Sequence, residues 1–156
     1  MGNGSRYVNA KPLKINSRPM KTMWINLPVK HLNASRTFFK AIGFRENPIH
    51  EKAEHMSSFL IGDTDFVMVL FPEETFKCIA ANEISDTSKV TEVLLNIDAQ
   101  SKAEVDEMAK IVRDAGGKIF GEPAESEGWM YAFGFEDLDG HRWGMLYMDM
   151  DKMPKS

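Results

Sequence analysis

Glu92-Val93-Leu94-Leu95-Asn96-Ile97 decides the reading of this chain, because it repeats a pattern set earlier by Trp24-Ile25-Asn26-Leu27-Pro28-Val29. In each stretch every second residue is apolar: Ile25, Leu27 and Val29 in the first, Val93, Leu95 and Ile97 in the second. A period of two places those side chains on one face of a β-strand. Trp24, Asn26 and Pro28 take the other face, as Glu92, Leu94 and Asn96 do in the later copy.

The segments after these two strands repeat as well. After the first, Asn33 offers an N-cap, Ala34, Phe38, Ala41 and Ile42 form a helical apolar stripe, and Gly43 permits a left-handed exit. Strands are expected at Phe44 to Asn47, Met56 to Ile61 and Phe66 to Phe71, the last two joined across Gly62-Asp63-Thr64-Asp65. After the second, Ser101 and Glu104 make a capping box, Val105, Met108, Ala109 and Val112 form the stripe, and Gly116-Gly117 ends the helix. Strands then come at Lys118 to Gly121, Met130 to Glu136 and Arg142 to Met148, with the turn Asp137-Leu138-Asp139-Gly140 before the last. Each half reads β-α-β-β-β, so the chain is an α+β protein built from a duplicated unit. The modules run from about 22 to 71 and from 91 to 149, inside a domain of residues 20–150. Residues 1–19 read as a flexible tail outside the fold, native or left over from expression, and 151–156 as a short closing tail. The connector from Pro72 to Val90 holds one short helix, around Glu74 to Ala81.

Composition narrows the function. A length of 156 residues suits one domain with its own core, and 43% hydrophobic with 27% charged residues excludes a disordered chain. A formal charge of −4 argues against a nucleic-acid binder, which needs a basic surface to displace counterions. No apolar run approaches the ~18 residues that span a bilayer, so no membrane partner is expected. The single cysteine, Cys78, can form no internal disulfide and fits a cytoplasmic setting.

Three segments resemble the vicinal-oxygen-chelate superfamily of glyoxalases, bleomycin-resistance proteins and extradiol dioxygenases, and within it a bacterial branch labelled predicted lactoylglutathione lyase. They are Asn26-Leu27-Pro28-Val29-Lys30-His31-Leu32 with Ser35, Phe38, Phe39 and Gly43-Phe44; Thr91-Glu92-Val93-Leu94-Leu95; and Asp137-Leu138-Asp139-Gly140-His141-Arg142-Trp143 through Asp149. The resemblance implies two βαβββ modules forming a cupped sheet or barrel, with a divalent metal held by one side chain from each of four strands and substrate oxygens chelated to it. It places those four positions at Trp24, Met68, Glu92 and Gly144, with Glu92 six residues before Asp98. Only Glu92 is a ligand type, and one carboxylate cannot hold a divalent ion against water. No metal or other cofactor is therefore expected at the usual centre. None of His31, His50, His55 and His141 forms a metal-binding spacing, and exposed roles are expected for His31 and His141.

Aromatics gather on or beside the strands that the resemblance places around the cleft: Trp24, Phe71, Trp129, Tyr131, Trp143 and Tyr147. They suit a small planar or amphipathic molecule, or simply the core, with Trp24 plugging the centre. The expected pocket comprises Trp24, Asn26, Met68, Glu92, Asn96, Trp129, Tyr131 and Gly144. The expected function is binding of a small organic molecule by a homodimer, as bleomycin-resistance members do. The alternative is a metal-dependent lyase or ring-opening enzyme of the glyoxalase type, with Glu92 as catalytic base and a divalent metal partnered by a residue such as His55.

Overall fold

The computed structural model describes residues 22–154, so the tail assigned to residues 1–19 lies outside the described residues. The first half contains β1 (Trp24–Val29), α1 (Leu32–Ala41), β2 (Arg45–Glu46), a 3-10 turn (Pro48–His50), β3 (Ser57–Ile61) and β4 (Phe66–Pro72). A helix, α2 (Glu73–Ala80), opens the connector. The second half contains β5 (Leu94–Ala99), α3 (Lys102–Asp114), β6 (Lys118–Ser126), β7 (Met130–Glu136) and β8 (Arg142–Met148).

The strand orders prove the duplication. One sheet runs β1-β4-β3-β2 and the other β5-β8-β7-β6, with the first and last strand of each half parallel and the remaining pairs antiparallel. Helices α1 and α3 each leave through a glycine with φ of 93°, Gly43 and Gly116, a conformation that L side chains resist. This is the α+β architecture expected of two βαβββ modules, but the two sheets do not close into a barrel.

Register corrects the match between the halves. Trp24 opens the β1–β4 ladder opposite Val67, and Leu94 opens the β5–β8 ladder opposite Arg142. Trp24 therefore corresponds to Leu94, and Asn26 to Asn96; Glu92 lies two residues ahead of the strand, in the connector. The alternation expected along β5 holds its phase, because a shift of two residues leaves every side chain on the same face.

Helix α1 also begins earlier than expected. His31 rather than Asn33 stands at the N-cap, without a side-chain hydrogen bond, while Asn33 Oδ1 accepts from Arg36 Nη1 at 3.3 Å.

The core lies between the two sheets. Phe39 of α1 packs its ring 5.7 Å from Phe59 of β3 and 5.6 Å from Trp143 of β8. Ile25, Leu27, Phe59, Met68, Leu70, Phe133, Phe135, Trp143 and Met145 all join this one apolar cluster with α1 and α3. The helix-bearing faces of both sheets thus contribute to one shared core.

Candidate functional site

Of the four positions at which the sequence places metal ligands, the open faces carry two, Trp24 and Gly144. On the first sheet, Trp24 and Asn26 stand opposite Val67 and Val69. On the second, Leu94 and Asn96 stand opposite Arg142 and Gly144. The four corresponding places on the first and last strands are therefore Trp24, Val69, Leu94 and Gly144. An indole, two alkyl groups and a hydrogen supply no lone pair, so these residues do not fit a divalent metal. Among the described residues, no group of three or more His, Cys, Asp and Glu side chains could hold one either.

Several expected site residues are found elsewhere. Met68 is 0% exposed and pairs with Ile25 on the helix-bearing face, so Val69 takes the open-face position instead. Tyr131 also faces inward: its hydroxyl donates to Asp106 Oδ1 of α3 at 2.9 Å, and Lys102 Nζ stands 5.5 Å from its ring centroid. Trp129 sits in the β6–β7 turn, half-buried, outside the strand. Trp143 is core, with Nε1 donating to Asp137 Oδ2 at 3.2 Å. Trp24 plugs nothing within the chain, being 63% exposed. His55 precedes β3 and is exposed, so it does not point into the fold beside Glu92.

The centre of the second open face is a glycine pair, Gly134 and Gly144, aligned across β7 and β8. Neighbouring side chains fill the room: a Cβ on Gly144 would collide with Asn96 Oδ1, and one on Gly134 with the Phe120 ring. Arg142 covers that ring, its guanidinium 4.4 Å from the centroid, and its Nη2 pairs with Glu136 at 2.9 Å. A cation stacked on an aromatic face holds both in place.

A hollow of about 420 Å³ lies where the first strands of the two halves approach each other. Its floor comes from Ile25 to Pro28 of β1 and Leu95 of β5, one wall from Phe76 and Ala80 of α2, and its cover from the connector. Asn26 and Glu92 are the expected site residues that line it. Glu92 is exposed, and its Oε1 accepts from Ser85 Oγ at 2.6 Å, a bond that closes the connector on itself. A larger but more open hollow of about 660 Å³, at the start of α1, is lined by Lys30, Arg36, Glu51 and Lys52 and touches no strand position named above.

The turn beside the smaller hollow ties the halves together, a role that no local sequence signal announces. Asp139 Oδ1 accepts from Lys30 N and Oδ2 from Ser35 Oγ, both at 2.8 Å. Thr87 Oγ1 donates to Asp139 O at 2.6 Å, and His141 Nε2 lies 2.8 Å from Pro28 O. His141 is thus half-buried and engaged rather than exposed. Asp137 accepts from Asp139 N and His141 N at 3.0 Å each, and burial pushes its carboxyl above the usual range despite the nearby His141.

Comparison with known proteins bears on this geometry. No family model and no curated protein matches the chain. Among solved structures it is similar to the hypothetical protein SA1046 from S. aureus, with 30% identity, a TM-score of 0.74, and 83% of this chain and 95% of that one covered. It is also similar to a glyoxalase/bleomycin resistance protein/dioxygenase family enzyme from Burkholderia phytofirmans, at 17% identity and TM-score 0.68, covering 80% of this chain and 96% of that one. The fosfomycin resistance protein FosX from Listeria monocytogenes, complexed with Mn(II) and sulfate, gives 20% identity and TM-score 0.61, covering 83% and 90%.

Proposed function

We propose that this chain, which belongs to one family with the S. aureus protein and shares its fold with glyoxalase/bleomycin resistance/dioxygenase structures, is a vicinal-oxygen-chelate protein that binds a small organic molecule without metal chemistry at the usual centre. The observation that carries the reading is the pairing of an emptied ligand set with a surviving hollow. Trp24, Val69, Leu94 and Gly144 offer no donor atom, while about 420 Å³ remains between β1, α2 and the connector. A volume of that size suits a small ligand with an apolar body and a few polar contacts.

The chain's own residues account for such binding. Ile25, Leu27, Phe76 and Leu95 exclude water from an apolar group, and the Asn26 amide and Glu92 carboxylate orient a polar one. FosX was solved with Mn(II), whereas among the described residues of this chain no group of three or more His, Cys, Asp and Glu side chains could hold a metal ion.

Elemental analysis of protein purified without chelator, paired with a thermal-shift screen of small organic molecules, tests the proposal. The expected result is metal far below one equivalent and a ligand class that raises Tm. At a concentration a hundred times Kd, stabilisation is about 2.7 kcal/mol, or roughly 5–10 °C for a domain of this size. Stoichiometric Zn, Mn, Ni or Fe, with an activity lost in Glu92→Gln, would establish the enzyme instead. A screen in which no class moves Tm would remove the binding function.

A further inference from the structure

We infer that the molecule held in the hollow between β1 and the connector is an amphipathic amine, its apolar body on the floor and its protonated nitrogen at Glu92. This deepens the binding function proposed above and depends on it.

The walls set the body of the ligand. Ile25, Leu27, Phe76, Ile84, Val93 and Leu95 contribute alkyl and aromatic surface, and Val93 is 54% exposed although it borders the hollow. Covering such surface is favourable at about 25 cal/mol per Å² of apolar area removed from water.

Charge sets the head group, and each charged group of the lining has an identifiable partner or lacks one. Arg142 is committed to Glu136 at 2.9 Å and to the face of Phe120. His141 is committed to the Pro28 carbonyl at 2.8 Å. Glu83 has Lys77 at 3.5 Å. Of the two carboxylates, Glu92 has no ion-pair partner among the described residues; Ser85 Oγ occupies its Oε1, and Oε2 remains able to accept. The charge left uncompensated in the hollow is therefore negative.

An anionic ligand must approach that carboxylate while Arg142 and His141 are engaged elsewhere, and freeing Arg142 breaks its pair with Glu136 and its stack on Phe120. A neutral ligand leaves the carboxylate without a counter-charge. A protonated amine avoids both costs and forms a charge-assisted hydrogen bond, the stronger kind. Because Ser85 and Glu92 both belong to the connector, the same contact fixes the cover over the bound molecule.

The test uses the full chain and three probes of matched shape: 4-phenylbutylamine, 4-phenylbutanol and 4-phenylbutanoate, titrated by calorimetry. Two variants accompany it: Glu92→Gln, and Ala80→Trp, which places a bulky ring at the α2 wall, with circular dichroism to verify folding of both. The expected result is that the amine binds about tenfold more tightly than the alcohol, the difference made by one charge-assisted hydrogen bond. The carboxylate binds weakest, Glu92→Gln erases the preference, and Ala80→Trp weakens all three. If the alcohol or the carboxylate matches the amine, or Glu92→Gln keeps the preference, the amine assignment is wrong; loss in Ala80→Trp then still leaves the hollow as a binding site. If no probe binds, or folded Ala80→Trp binds all three as the unmodified protein does, the hollow is not the site and both inferences fall.

Discussion

At the residue scale, Asp139 holds the halves together. Its two carboxylate oxygens accept from Lys30 N and from Ser35 Oγ, and it is 8% exposed. Asp139→Ala leaves two donors without partners in the joint between the modules, which costs about 2–4 kcal/mol. Urea denaturation of the variant should show the unfolding free energy lowered by that amount, seen as a lower midpoint with an unchanged m-value. A loss under about 0.5 kcal/mol, the size of an ordinary surface change, would show that the joint does not depend on this side chain. Asp137, two residues earlier, acts with a defined sign. Its folded pKa lies above the usual value because burial disfavours the charge, so its contribution to stability grows as pH falls through that pKa and levels off below the unfolded value. The sequence shows the Asp-x-Asp-Gly turn plainly, but not its role. The partner of Asp139 is Lys30, 109 positions away, and nothing local announces so distant a contact.

At the scale of elements, the two helices differ in how they start. Ser101 Oγ accepts from Glu104 N at 3.2 Å, while Glu104 Oε2 reaches back to Gln100 N at 2.6 Å. The expected capping box is thus present, with its return bond one residue earlier. Ser101→Ala should destabilise the protein by about 1 kcal/mol, seen as a lower Tm, because one first-turn N–H loses its acceptor. No change in Tm would mean that Gln100 and Glu104 cap the helix by themselves. Helix α1 has only the His31 backbone at its cap, since Asn33 lies inside the helix and turns to Arg36. The strands show a related limit. Alternation identified the apolar face of β5 correctly but not its first residue, because a period of two is blind to a slip of two. That slip alone moved Glu92 from a strand position to the connector.

At the scale of the molecule, the helix-bearing faces share one core, while Trp24 and Asn26 of β1 and Leu94 and Asn96 of β5 lie on the opposite faces of their sheets. Trp24 and Leu94 are 63% and 54% exposed, and β1 and β5 are edge strands of their sheets. Exposed apolar side chains beside unpaired strand edges favour association, and a second copy would pair the open face of one module with its counterpart. A homodimer is the expected state in solution. Sedimentation should give twice the chain mass, and Trp24→Glu should return the protein to a monomer with its circular dichroism intact. A Trp24→Glu variant that stays dimeric would exclude this face as the contact.

The sequence by itself determined the duplicated βαβββ unit, the α+β class and the absence of ligand types at Trp24 and Gly144, because periodicity, capping residues and turns act within a few residues of each other. Asn26 and Glu92 are the two expected site residues that border the hollow. Only the tertiary structure decided that Met68 and Tyr131 face the helices, that Glu92 stands outside its strand, and that both halves share one core. Those facts depend on ladder register and on contacts such as Phe39 against Trp143, which join residues far apart in the chain and leave no trace in its local pattern.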